Sequence, residues 1–122
     1  MAKILLAEDD HSMRKFLEMA LRKAGHQVAS AEDGLKALAA FNHDKSYDLL
    51  LADIVMPGMD GIELSQHVTQ KSPDMKVMFI TGFAAVTMGS TDVRHNNQEA
   101  RVLSKPFHLK DLINRVDELL AA

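Results

Sequence analysis

At 122 residues the chain is long enough for one domain with a single sizeable core and too short for that domain plus a second of ordinary size. Hydrophobic residues make up 47% and charged ones 25%, a soluble globular balance that excludes a disordered or membrane chain, and no basic stretch followed by a long apolar run predicts a signal or a span. A formal charge of -3 with Lys and Arg scattered argues against nucleic acid as a partner, and the absence of cysteine excludes disulfides and thiolate chemistry, in keeping with the cytoplasm.

Lys3 to Ala7 (KILLA) is a short apolar run ending in acids, and reads as a buried strand. Met13, Phe16, Leu17, Ala20, Leu21 and Ala24 then form a helical stripe, closed by Gly25 just beyond the helix end. A weaker strand fits around Val28, between Gly25 and Ser30, and Ala37, Leu38 and Phe41 support a second helix. Asp48 to Ala52 (DLLLA) repeats the first strand's pattern with Asp53 at its end. Ile62, Leu64 and Val68 predict a helix begun near Asp60-Gly61 and finished before Pro73. Lys76 to Ile80 (KVMFI) is a strand running into Thr81-Gly82. The stretch 83–99 (FAAVTMGSTDVRHNNQE) opens helically but meets Gly89, Ser90, Thr91 and a polar run, so its helix is expected to be short or poorly formed. Ala100 to Leu103 (ARVL) is a strand ending in Ser104-Lys105-Pro106, and Leu109, Leu112, Ile113, Val116, Leu119 and Leu120 mark a final amphipathic helix.

Short strands separated by helix-length intervals predict parallel pairing with right-handed crossovers. The expected fold is α/β: a doubly wound five-stranded parallel sheet in the flavodoxin-like order 2-1-3-4-5, with helices on both faces. No repeat, low-complexity tract or linker divides residues 1–122, which read as a single domain.

Ligands of such sheets bind beyond the carboxyl ends of the strands, and those ends carry Glu8, Asp9, Asp53, Thr81 and Lys105. Clustered carboxylates repel one another unless neutralised, whereas a hard divalent cation needs oxygen ligands of this kind, so magnesium is the economical explanation. A carboxylate facing that metal can attack a phosphoryl donor, which makes Asp53 the best-placed nucleophile. Phosphoryl transfer asks mainly for positioning and neutralisation, work that suits the Lys105 ammonium and the Thr81 hydroxyl. Gly82 removes a side chain where the phosphoryl group would approach the backbone.

Glu8-Asp9, Asp53 with Met56-Pro57-Gly58-Met59-Asp60-Gly61 behind it, Thr81-Gly82 and Lys105-Pro106-Phe107 together resemble the receiver domains of response regulators, over almost the whole chain. The resemblance implies a single receiver domain without an output domain. It implies that Asp53 is the phosphoacceptor, that Asp9, Asp53 and the Val55 backbone carbonyl bind Mg2+ directly, and that Glu8 holds a metal-bound water. It further implies that Lys105 pairs with the phosphoryl group, that Thr81 moves toward it on activation, and that the Lys105-Pro106 bond is cis. The implied donor is a histidine kinase or a histidine phosphotransfer protein, and the implied state is a monomer or a phosphorylation-dependent dimer.

Two departures from the family pattern matter. Many receivers carry Tyr or Phe on the fifth strand where this chain has Val102, so the aromatic switch is expected to be absent and the 83–99 segment to act instead. Val55 and Phe83, two residues beyond the acceptor and the threonine, flank the route of hydrolytic water and cannot hydrogen-bond to it, which predicts slow self-dephosphorylation. More narrowly, 77–86 (VMFITGFAAV) and 102–109 (VLSKPFHL) resemble the CpdR-like single-domain regulators, adaptors for the ClpXP protease in cell-cycle control, so a ClpX-type unfoldase is an implied partner. Leu120-Ala121-Ala122 also looks like the small apolar tags such unfoldases recognise, which would make the chain a substrate as well.

Plainer readings exist for each residue. Glu8 and Asp9 could be solvated acids, Asp53 a turn residue before Pro57, Lys105 a surface lysine and Thr81 an ordinary strand end; their weight comes from falling together at successive strand ends. Asp10 is assigned to capping the first helix. The six histidines lie singly and read as surface residues, and Met13, Met19, Met75 and Met78 as core or edge packing. A phosphatase of the haloacid dehalogenase type would need a second aspartate where Val55 stands, and a flavodoxin-like electron carrier would need a phosphate loop after the first strand. A phosphate sink or relay intermediate without its own output is the alternative within the receiver reading.

Overall fold

Local chemistry starts and stops the elements. In the computed structural model, which describes residues 2–82 and 100–121, the strands are β1 (Lys3–Ala7), β2 (Gln27–Ala31), β3 (Leu49–Asp53), β4 (Lys76–Thr81) and β5 (Ala100–Ser104). The helices among these residues are α1 (His11–Lys23), α2 (Gly34–His43), α3 (Gly61–Lys71) and α4 (Leu109–Ala121). Three helices open on an aspartate whose side chain accepts a first-turn amide: Asp10 from Met13, Asp33 from Lys36 and Asp60 from Glu63. Each satisfies a donor that the helix start would otherwise leave free, a contribution of about 1 kcal/mol. Gly25, at φ 102, turns the chain out of α1 in a conformation costly to any residue with a Cβ.

The strands pair in parallel in the order β2-β1-β3-β4-β5, the order expected. Alternation along each central strand splits its side chains between two cores. Leu5, Leu50, Val77 and Phe79 join Phe41 of α2 and Leu64 and Val68 of α3 on one face. Ile4, Leu6, Leu49, Leu51, Met78 and Ile80 meet Leu17 and Leu21 of α1 and Leu112, Val116 and Leu119 of α4 on the other. With both faces covered, β3 is buried throughout, which is why it reads as an unbroken apolar run.

Three expectations change on the surface. Phe16, placed in the buried stripe of α1, is 48% exposed, and Met19 is 72% exposed, because the helix contacts the sheet through the narrower line of Leu17, Ala20 and Leu21. His26, read as a surface residue, has a side chain only 9% exposed. Its Nδ1 accepts from the Ala2 amide at 3.2 Å and its Nε2 stands 3.5 Å from Asp117 Oδ1, so it packs between the start of β1 and the end of α4. The segment 83–99, with Phe83, and the terminal Ala122 lie outside the described residues.

No helix among the described residues is long and apolar enough to cross a membrane.

Gly61 lies tight against the end of β3, since a Cβ there would stand 2.3 Å from the Asp53 carbonyl oxygen. Neither partner is a flexible side chain, so backbone must shift. Gly61→Ala is therefore expected to lower stability by about 1 to 3 kcal/mol, read as a fall in the urea midpoint with an unchanged slope.

Candidate functional site

The carboxyl edge of the sheet brings together residues far apart in the chain. β1 ends at Ala7, yet Glu8 keeps its amide on the Ala31 carbonyl at 3.1 Å, so the acidic residue after the strand is held as firmly as the strand. Its side chain is fully buried. Oε2 accepts from the Asp10 amide at 3.1 Å, and Asp10 is itself fastened as the cap of α1. Asp9, between them, is exposed. Arg14, one turn into α1, donates from Nη1 to the Glu8 carbonyl at 2.9 Å.

Asp53 is the last residue of β3, opposite Ile80, and is 5% exposed. Its Oδ1 accepts from the Val55 amide at 3.3 Å, which orients the carboxylate back over the loop that follows. Val55 is 63% exposed beside it. Thr81 ends β4, fully buried, with its hydroxyl donating to the Gly82 carbonyl at 3.1 Å. Among the described residues, nothing lies within 4 Å of a Cβ built on Gly82.

Lys105 follows β5, and its amide donates to the Thr81 carbonyl at 2.7 Å, tying the ends of the last two strands. The Lys105-Pro106 peptide is cis. From there the ammonium Nζ reaches Asp53 Oδ2 at 3.1 Å and Glu8 Oε1 at 3.3 Å. Burial works against its charge, but Asp53 and Glu8 outweigh burial and raise its pKa above the ordinary lysine value. Glu8 responds in the opposite sense to its setting: burial, with the Asp53 charge adding to it, pushes its carboxyl up to about 7 against the bond from Asp10 and the attraction of Lys105.

Glu8, Asp9 and Asp53 each present a carboxylate oxygen within 4.8 Å of the others. One ammonium does not neutralise that set. Glu8 Oε1 is buried without a hydrogen bond of good geometry, an orphaned acceptor of the kind a cation or its bound water would satisfy. All-oxygen donors and a half-open cleft fit a hard divalent ion such as Mg2+. The residues chosen from the sequence, Glu8, Asp9, Asp53, Val55, Thr81, Gly82 and Lys105, thus share one edge. Phe83 falls outside the described residues, and Ala121 ends α4 at the opposite end of the molecule, beside Ala2, His26 and Asp48. Arg14 was not legible as part of the site, because a basic residue in an amphipathic helix looks like any solvated one.

The raised Glu8 pKa sets a pH dependence. The folded, metal-free protein binds a proton more tightly there than the unfolded chain, whose carboxyl titrates near 4.5. This contribution to stability is complete below pH 4.5 and is lost as the pH rises through about 7. Glu8→Gln, which cannot ionise, is expected to flatten that decline in urea titrations made without divalent ions.

Known proteins resemble this chain in sequence and fold. Residues 4–117 match the response regulator receiver domain family. The chain is 50% identical over 122 residues to the response regulator receiver protein CpdR of Brucella abortus (strain 2308), covering 100% of this chain and 99% of that one. It is 34% identical to the sensor kinase CckA of the same organism, over 98% of this chain and only 12% of the kinase. The crystal structure of a response regulator receiver protein from Sinorhizobium medicae WSM419 superposes with a TM-score of 0.87 at 30% identity, covering 99% of this chain and 95% of that one. The chain belongs to the receiver domain family of two-component response regulators.

Proposed function

We propose that the chain accepts a phosphoryl group on Asp53 and signals by a phosphorylation-dependent contact with another protein, acting as a single receiver domain in the cytoplasm. The observation that carries this reading is the Lys105 ammonium placed 3.1 Å from Asp53 Oδ2 and 3.3 Å from Glu8 Oε1, with Asp9 beside them. Magnesium, held by Asp9, Asp53 and the Val55 carbonyl with Glu8 on a bound water, would supply positive charge for the phosphoryl oxygens.

The chain's own residues do the rest. The Asp53 carboxylate attacks phosphorus; an O–P bond forms as the bond to the donor nitrogen of a phosphohistidine breaks, and the imidazole leaves. A carboxylate needs no base to remove a proton. Lys105 exchanges its contact with Asp53 for one with a phosphoryl oxygen, and the Thr81 hydroxyl turns from the Gly82 carbonyl toward another. Gly82 leaves room for the group. The donor is a histidine kinase or a histidine phosphotransfer protein, a reading supported by membership of the response regulator receiver family.

The likeness to CpdR along the full chain supports the finer reading: an adaptor for a ClpXP-type protease in cell-cycle control. An adaptor requires a partner that prefers one conformation, and near-complete switching takes about 5.5 kcal/mol of differential binding. A phosphate sink would need only the transfer. Affinity capture from native lysate separates the two, using immobilised wild type and Asp53→Ala with magnesium, with and without beryllofluoride. Capture of an unfoldase by one state of the wild type alone supports the adaptor, and capture of nothing beyond a kinase or phosphotransfer protein supports the sink.

Asp53→Ala is expected to take up no phosphoryl group from acetyl phosphate and magnesium, by intact mass, where the wild type takes up one. Uptake by the variant at the wild-type rate would remove Asp53 from its assigned role. Val55, exposed beside the acceptor, offers no hydrogen bond to an attacking water. A variant carrying Asn at 55 and Ser at 83 gains about 1 kcal/mol of such contact, so its phosphoryl lifetime is expected to shorten about five-fold. An unchanged lifetime would show that these side chains do not gate the water.

A further inference from the structure

Arg14 spends its guanidinium on the loop that carries Glu8 and Asp9. Nη1 donates to the Glu8 carbonyl oxygen at 2.9 Å, and Nη2 lies 3.0 Å from Nδ1 of His11 in the first turn of α1. The Arg14 amide donates to the Asp10 carbonyl at 2.8 Å. The residue thus grips the loop from both its main chain and its side chain, and it is half-buried while doing so.

The target of that grip matters. The Glu8 carbonyl and the Asp9 amide belong to one planar peptide unit. Holding its oxygen sets the plane from which the Asp9 side chain departs. Asp9 is exposed, so packing does little to orient its carboxylate, and repulsion from Glu8 and Asp53 would push it toward water. Among the described residues no other side chain bonds the main chain of residues 8 and 9.

We propose that Arg14 is a positioning residue of the cation site: by fixing the Glu8-Asp9 peptide plane it keeps the Asp9 carboxylate turned toward Asp53 and prepares the oxygen set for a hard divalent ion. The proposal rests on the reading of Glu8, Asp9 and Asp53 as the magnesium site. Its sign separates it from simple electrostatics. A guanidinium near a bound cation repels it, so by charge alone Arg14→Ala would tighten magnesium binding. Positioning requires the opposite, since removing a group that orients a metal ligand weakens affinity by about 10- to 100-fold. Lysine at this position keeps a charge and a donor but loses the fork that spans two acceptors, so it should restore binding only in part.

The test is a Mg2+ titration of the metal-free protein, followed through the amide resonances of residues 8 to 10, for wild type, Arg14→Ala and Arg14→Lys. Thermal unfolding of each metal-free protein is measured alongside. The expected result is affinity at least about tenfold weaker in Arg14→Ala, intermediate in Arg14→Lys, with all three folded and unfolding at similar temperatures without metal. Equal or tighter binding by Arg14→Ala overturns the proposal. So does weaker binding accompanied by a collapse of metal-free stability in both variants, which would mark a general structural role. A wild type that binds no Mg2+ overturns the reading of the site itself, a failure visible without any variant.

Discussion

The repulsion among Glu8, Asp9 and Asp53 at the carboxyl edge is the constraint around which the molecule is arranged. Three carboxylates this close, with two of them buried, oppose folding unless something positive stands among them. Lys105 is that charge, and it comes from the far end of the chain. The balance is incomplete by design of the geometry: Glu8 holds its proton unusually tightly and keeps one oxygen without a proper hydrogen bond. A site that remains electron-rich after its own lysine is counted has the charge and the oxygen donors that suit a hard divalent cation.

Holding such a site demands a rigid support, and the sheet supplies it through ordinary apolar packing. β1 and β3 sit at its centre, with their side chains divided between two cores, so neither strand can slip without exposing a row of leucines. Backbone bonds continue past the strand ends: Glu8 to Ala31, Ile54 to Ile80 and Lys105 to Thr81. These fasten each loop at the point where it turns away. The functional side chains therefore inherit the precision of the strands rather than the looseness of loops, which is what preorganised charge neutralisation requires.

Legibility followed the range of the interactions concerned. Strands showed as apolar runs and helices as stripes because burial on two sheet faces leaves a strong periodic trace; parallel pairing came from the alternation of element types, with the order 2-1-3-4-5 chosen as the flavodoxin-like one. Glu8, Asp9, Asp53 and Lys105 stood out because ionisable residues directly after buried strands have few ordinary explanations when they recur at several strand ends. Phe16 and Met19 misled, since an apolar residue flanking a helix stripe looks the same whether the sheet covers it or not. His26 misled in the other direction: its burial depends on Ala2 and Asp117, neither of which is near it in sequence. Arg14 carried no signal at all, because its significance lies in a main-chain oxygen that no residue type encodes.

By itself the amino-acid sequence determined the α/β class, the parallel order and the set of ionisable groups that meet at one edge, because periodicity and residue type are local properties. Only the tertiary structure decided which of those groups are buried, which oxygen the lysine reaches, that Glu8 is left with an unsatisfied acceptor, and that Arg14 holds the peptide before Asp9. These are matters of distance and desolvation between residues remote in the chain, and charge interactions change so steeply with both that no pattern along the sequence can stand in for the folded geometry.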